Sequence, residues 1–449
     1  MKILIIGNGA REHAIAEACQ RSPQQPELLV FGTAVNPGLL RLGAKMVMTD
    51  SLEDFEKLKK VVEAEKPDFA IAGPEGPIVA GVTDFLAGLG VPCVAPTKEL
   101  AQLEGSKAFT RLLMTDYGIP GCPQFMSFKK WDEDVTREDV EKLVRAFMEN
   151  LGGEFVVKAD GLCGGKGVKV TGDHLAGTQD GLHFAMQCIE VDGSVVVEEK
   201  FIGQEFSLMF LTDGTTLAAT PAEQDHKRAF EGDKGPNTGG MGTYSDEHGS
   251  LPFLTQDDLD AARDITKQML HALKDKTGED FKGVMYGGFI ATADGVKLIE
   301  YNARFGDPEA MNVLPILKTD FVAVCQAIIA GTLADLPLEF EQQATVVKYA
   351  VPEGYPNEPR SGEEIKIFSL PDGCRLYYAA VNMDDAGTIT TGTSRALAFV
   401  GIADSLAAAE RIAEAGAQAV EGPLAHRRDI GTDALIAQRM MHMHQLRGA

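Results

Sequence analysis

KADGLCGGKGV, residues 158–168, lies between two short strand-like runs, Val156-Val157-Lys158 and Val168-Lys169-Val170. A glycine-rich segment in that position is the tip of a hairpin. It is not a Walker loop: Asp160 stands five residues before Gly165, and Lys166 is followed by Gly167 instead of Ser or Thr. Glycines 161, 164, 165 and 167 allow backbone amides to fold over an anion, and Lys158 and Lys166 add point charges suited to phosphate. Taken alone, the segment reads equally as a flexible turn with a solvated lysine.

Its neighbours narrow the choice. VVVEEKFIGQEFS (195–207) is an apolar strand ending in acids, where backbone groups can read an adenine edge and Glu205 can accept ribose hydroxyls. LIEYNARFGDPE (298–309) puts Glu300 and Asn302 two apart, on one face of a strand, as two hard oxygen donors for Mg²⁺. Arg304 continues that face if the strand persists and can grip a carboxylate bidentately. QDHKRAFEGDKGPNTGGMG (224–242) is too glycine-rich for a helix and too long for a turn, and is expected to be an ordered loop lining a site. GNGAREH (7–13) joins a strand to a helix and is equally a tight turn or a phosphate site. It fails as a dinucleotide fingerprint, with Glu12 at the third glycine position and no acid ending the second strand.

Composition sets the outer bounds. The chain has 449 residues, 44% hydrophobic and 24% charged, which fits a soluble multidomain enzyme and excludes disordered or fibrous classes. A net charge of −24 opposes nucleic acid and anionic membranes, so a phosphate ligand needs a local cluster of cations. The apolar run at 321–333 is interrupted by Gln326 and Gly331 and reads as a packed helix. Seven scattered cysteines without a CxxC argue for reduced thiols, and with no signal peptide evident the expected location is cytoplasmic. His442 and His444 in the Met-rich tail are assigned no role.

Strand and helix patterns alternate through the first hundred residues, with helices expected at about 11–19, 55–65 and 78–90, which predicts a doubly wound parallel sheet. From about 104 to 336 hairpin signals dominate, including the turn pairs Asp213-Gly214 and Asp294-Gly295. A β-rich stretch follows from 345, with one helix near 405–422. The expected organisation is a Rossmann-like domain at 1–103, a core at 104–336 with a mobile lid at about 124–197, and a small β-rich domain at 337–449.

The three central motifs, in this order within about 150 residues, resemble the ATP-grasp ligases. The resemblance is closer to the glycinamide ribonucleotide synthetase family, through GNGAREHA, GPEGPIVAGV, QLEGSKAF, KADGLCGGKGV, QDHKR, GDKGPNTGGMG, RFGDPE and RRDIG. It implies an α/β and α+β fold in which two subdomains clamp ATP. It implies ligation of glycine to 5-phosphoribosylamine, giving glycinamide ribonucleotide, ADP and phosphate by way of glycyl phosphate in purine biosynthesis. By the same resemblance Lys107 and Lys158 bind ATP phosphates beneath a flap of Gly164, Gly165, Lys166 and Gly167. Glu198, Glu199 and Phe201 belong to the adenine strand, Glu205 holds the ribose, and Glu300 and Asn302 hold Mg²⁺ or Mn²⁺. Asp225, Lys227, Arg304 and Asp307 are the implied catalytic residues. Gly9, Arg11, Glu75, His226, Arg228, Asn237, Thr238, Gly239 and Gly240 face the small-molecule substrates. The chain is expected to act as a monomer or small homo-oligomer. Departures from the family pattern occur at AVNPGLL (34–40), EGYP (353–356) and Thr393-Ser394-Arg395, all expected outside the ATP site. A ligase for another acid or amine, or a non-catalytic nucleotide-binding regulator, are the alternative readings.

Overall fold

A computed structural model describes residues 1–164 and 167–448; Gly165, Lys166 and Ala449 lie outside the described residues. The first layer follows from its apolar runs. Lys45–Met48, Glu27–Gly32, Lys2–Ile6, Phe69–Ala72 and Cys93–Val94 lie side by side in that order as a parallel sheet. Ile3 and Ile5 pack into one core while Leu4 and Ile6 pack into another. Burial on both faces is why the run is continuously apolar instead of alternating. The helix expected over 78–90 is instead two, Glu75–Ala80 and Val82–Gly88, because Gly81 takes a left-handed φ of 101° between them.

The core sheet is built from the predicted hairpins. Gly203–Asp213 turns into Leu217–Asp225, and Lys282–Thr292 into Gly295–Asn302. At the first turn the Asp213 carboxylate accepts from the amides of Thr215 and Thr216, at 3.0 and 2.8 Å, which locks the reversal. The sheet continues through Gly242–Ser245 into Ala344–Pro352, Leu397–Ala403 and Cys374–Tyr378, so one sheet runs through both the core and the C-terminal region.

The lid has its own sheet, ordered Phe125–Lys129, Ser194–Glu199, Phe155–Ala159 and Val168–Val170, backed by helices Arg137–Asn150 and Thr178–Asp192. Lys158 pairs with Val168 in antiparallel register, so the glycine-rich segment is a hairpin tip. A separate core of Val144, Met148, Phe155, Val157 and Ile189 holds the lid together.

One segment differs from expectation and one had none. The glycine-rich stretch expected as a loop contains a two-stranded ribbon, Arg228–Phe230 against Lys234–Asn237. The Met-rich tail is a helix, Asp433–Arg447, docked on the core sheet through buried Leu435, Ile436 and Met443 and a two-bond pairing of Arg447 with Asp258 at 2.6 and 2.9 Å. Among the described residues no helix is long and apolar enough to cross a membrane.

Candidate active site

A cavity of about 970 Å³ opens between the lid, the core sheet, the first layer and the C-terminal region. Lys107 and Lys158 line one end, with Gly164 and Gly167 of the hairpin tip; Gly165 and Lys166 of the expected flap lie outside the described residues. Lys158 is only 4% exposed and its Nζ is 2.7 Å from Glu198 Oε2 and 2.8 Å from the Ile299 carbonyl. Arg111 closes on the same carboxylate with Nε at 2.7 Å and Nη2 at 3.0 Å. Two buried cations thus share one buried anion, and the cluster keeps a net positive charge. Burial lowers the Lys158 pKa against the pull of Glu198. Lys107 Nζ donates to the Gly161 carbonyl, tying the helix that starts at Lys107 to the hairpin tip.

Glu300 and Asn302 end the strand Gly295–Asn302 and both line the cavity. Lys227 Nζ lies 3.2 Å from Glu300 Oε1 and, with burial opposing it, holds that carboxyl down at about 2. Glu300 raises the Lys227 pKa in return. Among the described residues no group of three His, Cys, Asp or Glu side chains is placed to hold a metal. One ionised carboxylate beside one amide oxygen nevertheless fits a divalent cation that takes few protein ligands and fills its shell from water and phosphate.

The strand stops at Asn302, so Arg304 is not carried on it, yet Arg304 still lines the cavity. Its guanidinium sits 3.0 Å from Glu104 Oε1 and 3.4 Å from Glu75 Oε2, joining core to first layer. The two acids differ. Burial pushes Glu104 up, whereas at Glu75 the Arg304 and Arg11 charges overcome burial and hold it near 2. Arg11 lines the cavity with Nε 2.7 Å from Glu12 and Nη1 3.1 Å from the Phe305 carbonyl.

Asp225 and Glu309 line the cavity, and Glu223, on the same strand as Asp225, does not. Glu223 is wholly buried and neither of its carboxylate oxygens has a partner among the described residues; Asp225 Oδ1 has none either. Burial, with Glu309 nearby, pushes both carboxyls well above the usual range. Glu309 Oε1 accepts from Tyr286 at 2.8 Å and Ser207 at 3.1 Å. His226 is buried, its Nε2 is unpartnered among the described residues, and burial lowers its pKa to about 4.

The ribbon forms the far wall. Arg228 reaches the lid, 2.7 Å from His174 Nε2 and 3.3 Å from Asp173. Asn237, Thr238 and Gly239 line the cavity, and Thr238 Oγ1 donates to the Lys227 carbonyl at 2.9 Å. Asp307 accepts from Tyr349 at 2.6 Å and lies 3.3 Å from Arg395, whose Nη1 also holds the Gly239 and Gly240 carbonyls at 2.7 and 2.9 Å.

Five expected ligand residues do not line this cavity. Gly9 spends its amide on Glu12 Oε2 at 2.6 Å, so the helix start is filled by its own carboxylate. Glu198 turns to Arg111 and Lys158, and Glu199 accepts from the Gln124 amide at 2.8 Å, leaving only the backbone there to meet a base. Phe201 and Gly240 also fall outside, while Gly203, Gln204 and Glu205 of the next strand lie inside. The reading from sequence missed Arg111, Glu104, Glu309, Tyr286 and Arg439, all cavity-lining. Arg111 lies four residues after Lys107 in the EGSKAF helix, one turn along the same face, which was the available signal. Of the departures from the family pattern, Tyr355, Pro356, Thr393, Ser394 and Arg395 line the cavity as well.

Two α+β lobes that close a glycine-tipped hairpin onto a strand ending in metal-binding oxygens define the ATP-grasp class of ligases. Sequence comparison places the chain within it. Residues 1–104 match the phosphoribosylglycinamide synthetase N domain, 105–310 its ATP-grasp (A) domain and 345–433 its C domain. The phosphoribosylamine–glycine ligases of Methanosarcina barkeri and Methanosarcina acetivorans are 46% and 45% identical, covering all of this chain and 100% and 98% of theirs. The crystal structure of phosphoribosylamine–glycine ligase from Thermotoga maritima superposes with a TM-score of 0.78 at 27% identity, over 96% of this chain and 100% of that one. A biotin carboxylase domain from Hydrogenobacter thermophilus shares the fold alone, with a TM-score of 0.70 at 14% identity over 98% and 93% of the two chains. The chain belongs to the phosphoribosylglycinamide synthetase family.

Proposed function

We propose that this chain joins glycine to 5-phosphoribosylamine at the expense of ATP, forming glycinamide ribonucleotide, ADP and phosphate for purine biosynthesis in the cytoplasm. The observation that carries this reading is a single enclosure lined by Lys107, Lys158 and Lys227 and by Arg228 of the ribbon. Family membership supplies the substrate identities.

A carboxylate is a poor acylating agent, so glycine's carboxylate first takes the γ-phosphoryl group of ATP. The phosphoribosylamine nitrogen then attacks the acyl carbon, phosphate leaves, and the nitrogen sheds a proton. Lys158 and Lys107 hold phosphate oxygens, and Arg304 and Asp307 place the glycine end. Lys227 neutralises charge on the transferring group while keeping Glu300 ionised. Asp225, whose Oδ1 has no partner among the described residues, accepts the amine proton in its ionised form, which its raised pKa makes a stronger base but a scarcer one. No protein nucleophile is needed; positioning and cationic stabilisation suffice. Glu300 and Asn302 would hold Mg²⁺ or Mn²⁺, which supplies charge neutralisation on the phosphates when bound. The hairpin tip shields the acyl phosphate from water.

A second reading, a ligase for another amine, draws on the departures at 353–356 and 393–395, which form part of the cavity wall. Phosphate release measured while ATP, Mg²⁺, glycine and freshly made phosphoribosylamine are omitted in turn separates the two. Release that needs all four and favours glycine supports the first; release with a different amine replaces it with the second.

A further inference from the structure

RRDIG (427–431) belongs to the resemblance but has no part in the chemistry above, and the C-terminal helix lies beyond the residues matching the family's C domain. Both converge on one residue of the ribbon. Asp233, at the turn between the ribbon strands, accepts from Arg427 Nη1 at 2.9 Å on one oxygen and from Arg439 Nη2 on the other. It adopts a left-handed φ of 54°, a conformation costly for a residue other than glycine and kept only where neighbours impose it. Arg427 is 1% exposed; it also donates to the Arg228 carbonyl at 3.0 Å and grips Asp429 at 2.9 and 2.7 Å. Asp429 in turn accepts from the Gly232 amide at 2.9 Å.

We infer that Arg427 and Arg439 are positioning residues that clamp the ribbon through Asp233, fixing the wall that carries Lys227 and Arg228. The ribbon has little apolar anchorage of its own: of its strand residues only Ala229 is buried, Phe230 is 54% exposed and the strand Lys234–Asn237 has no buried residue. Its place is therefore set by these charged contacts, made from two C-terminal elements roughly 200 residues away in sequence. Loosening the clamp shifts the amine-binding wall and leaves the Lys107–Lys158 end alone. The inference rests on the reading that the ribbon faces the amine.

The test compares Arg439→Gln and Arg439→Lys with the parent chain, in turnover and in hydrogen exchange over residues 228–241. Arg439→Gln is expected to raise KM for phosphoribosylamine about tenfold, the loss of one hydrogen-bonded charge pair, and to lower kcat as Lys227 shifts, with KM for ATP holding. Exchange at 228–241 rises in the same variant, and Arg439→Lys restores most of both. An unchanged amine KM with unchanged exchange, or an equal rise in KM for ATP, overturns the clamp. If the parent chain turns over a different amine, the functional reading falls while the exchange measurement still decides the clamp.

Discussion

At the scale of single residues, the Lys107–Lys158 end of the cavity depends on a shared charge. Glu198 is held by both Arg111 and Lys158, so the two can be separated by mutation. Lys158→Met leaves Glu198 in its two-bond pairing with Arg111, so the fold is kept while the ammonium at the cavity is lost. We expect kcat/KM for ATP to fall about 10²-fold or more, about 3 kcal/mol of transition-state stabilisation, in steady-state assays. Wild-type ATP kinetics would remove Lys158 from the site. His13 makes a prediction about pH. It is buried between the first layer and Tyr377 and Tyr378, and its Nδ1 accepts from the Tyr378 amide at 3.2 Å. Burial, aided by Arg41, lowers its pKa from 6.5 to about 4. The unfolded chain therefore binds this proton more readily than the folded one. Stability from His13 is intact above pH 6.5 and drains away as pH falls towards 4, on the order of 3 kcal/mol in total. Denaturant titrations at pH 7.5 and 5 should show His13→Gln losing less stability on acidification than the parent; equal losses would contradict the assignment.

At the scale of elements, what was legible in the sequence was what local pattern fixes. Apart from the edge strand Lys45–Met48, the first-layer strands are buried and read as unbroken apolar runs, and the hairpins announce themselves by Asp-Gly turns. The ribbon and the C-terminal helix were not legible because long-range charge holds them: Asp233 to Arg427 and Arg439, Arg447 to Asp258. DALIAQRMMHMHQLR buries only Leu435, Ile436 and Met443, too few to mark a stripe. Likewise Glu198 and Glu199 were read by position on a strand, while their partners Arg111 and the Gln124 amide lie 87 and 75 residues away. Gly240 shows what the ribbon's exit demands. Its φ is 107°, and a Cβ there would lie 2.5 Å from Asp225 Oδ1 and 2.7 Å from Pro308. Gly240→Ala should cost about 1–3 kcal/mol of stability in denaturant titration and depress turnover, since relief of the clash displaces Asp225. A fully stable, fully active Gly240→Ala would show that Asp225 has no fixed place in the reaction.

At the scale of the whole molecule, one sheet carries the core and much of the C-terminal region, from Gly295–Asn302 at one edge to Cys374–Tyr378 at the other. Glu300 and Asn302 on one strand and Glu223 and Asp225 on another thus sit on a common frame, with the first layer joined through Arg304. The net charge of −24 makes this concentration of lysine and arginine in one cavity more telling, since the overall field of the chain opposes anions. The account as a whole requires that glycine's carboxylate oxygen become an oxygen of the phosphate released, because the acyl phosphate parts with phosphate when the amine attacks. Turnover with glycine labelled with ¹⁸O in its carboxylate, followed by mass analysis of the phosphate, tests this directly. One labelled oxygen transferred per phosphate released, only when phosphoribosylamine is present, is the predicted result. Phosphate released without label during amide formation would contradict it.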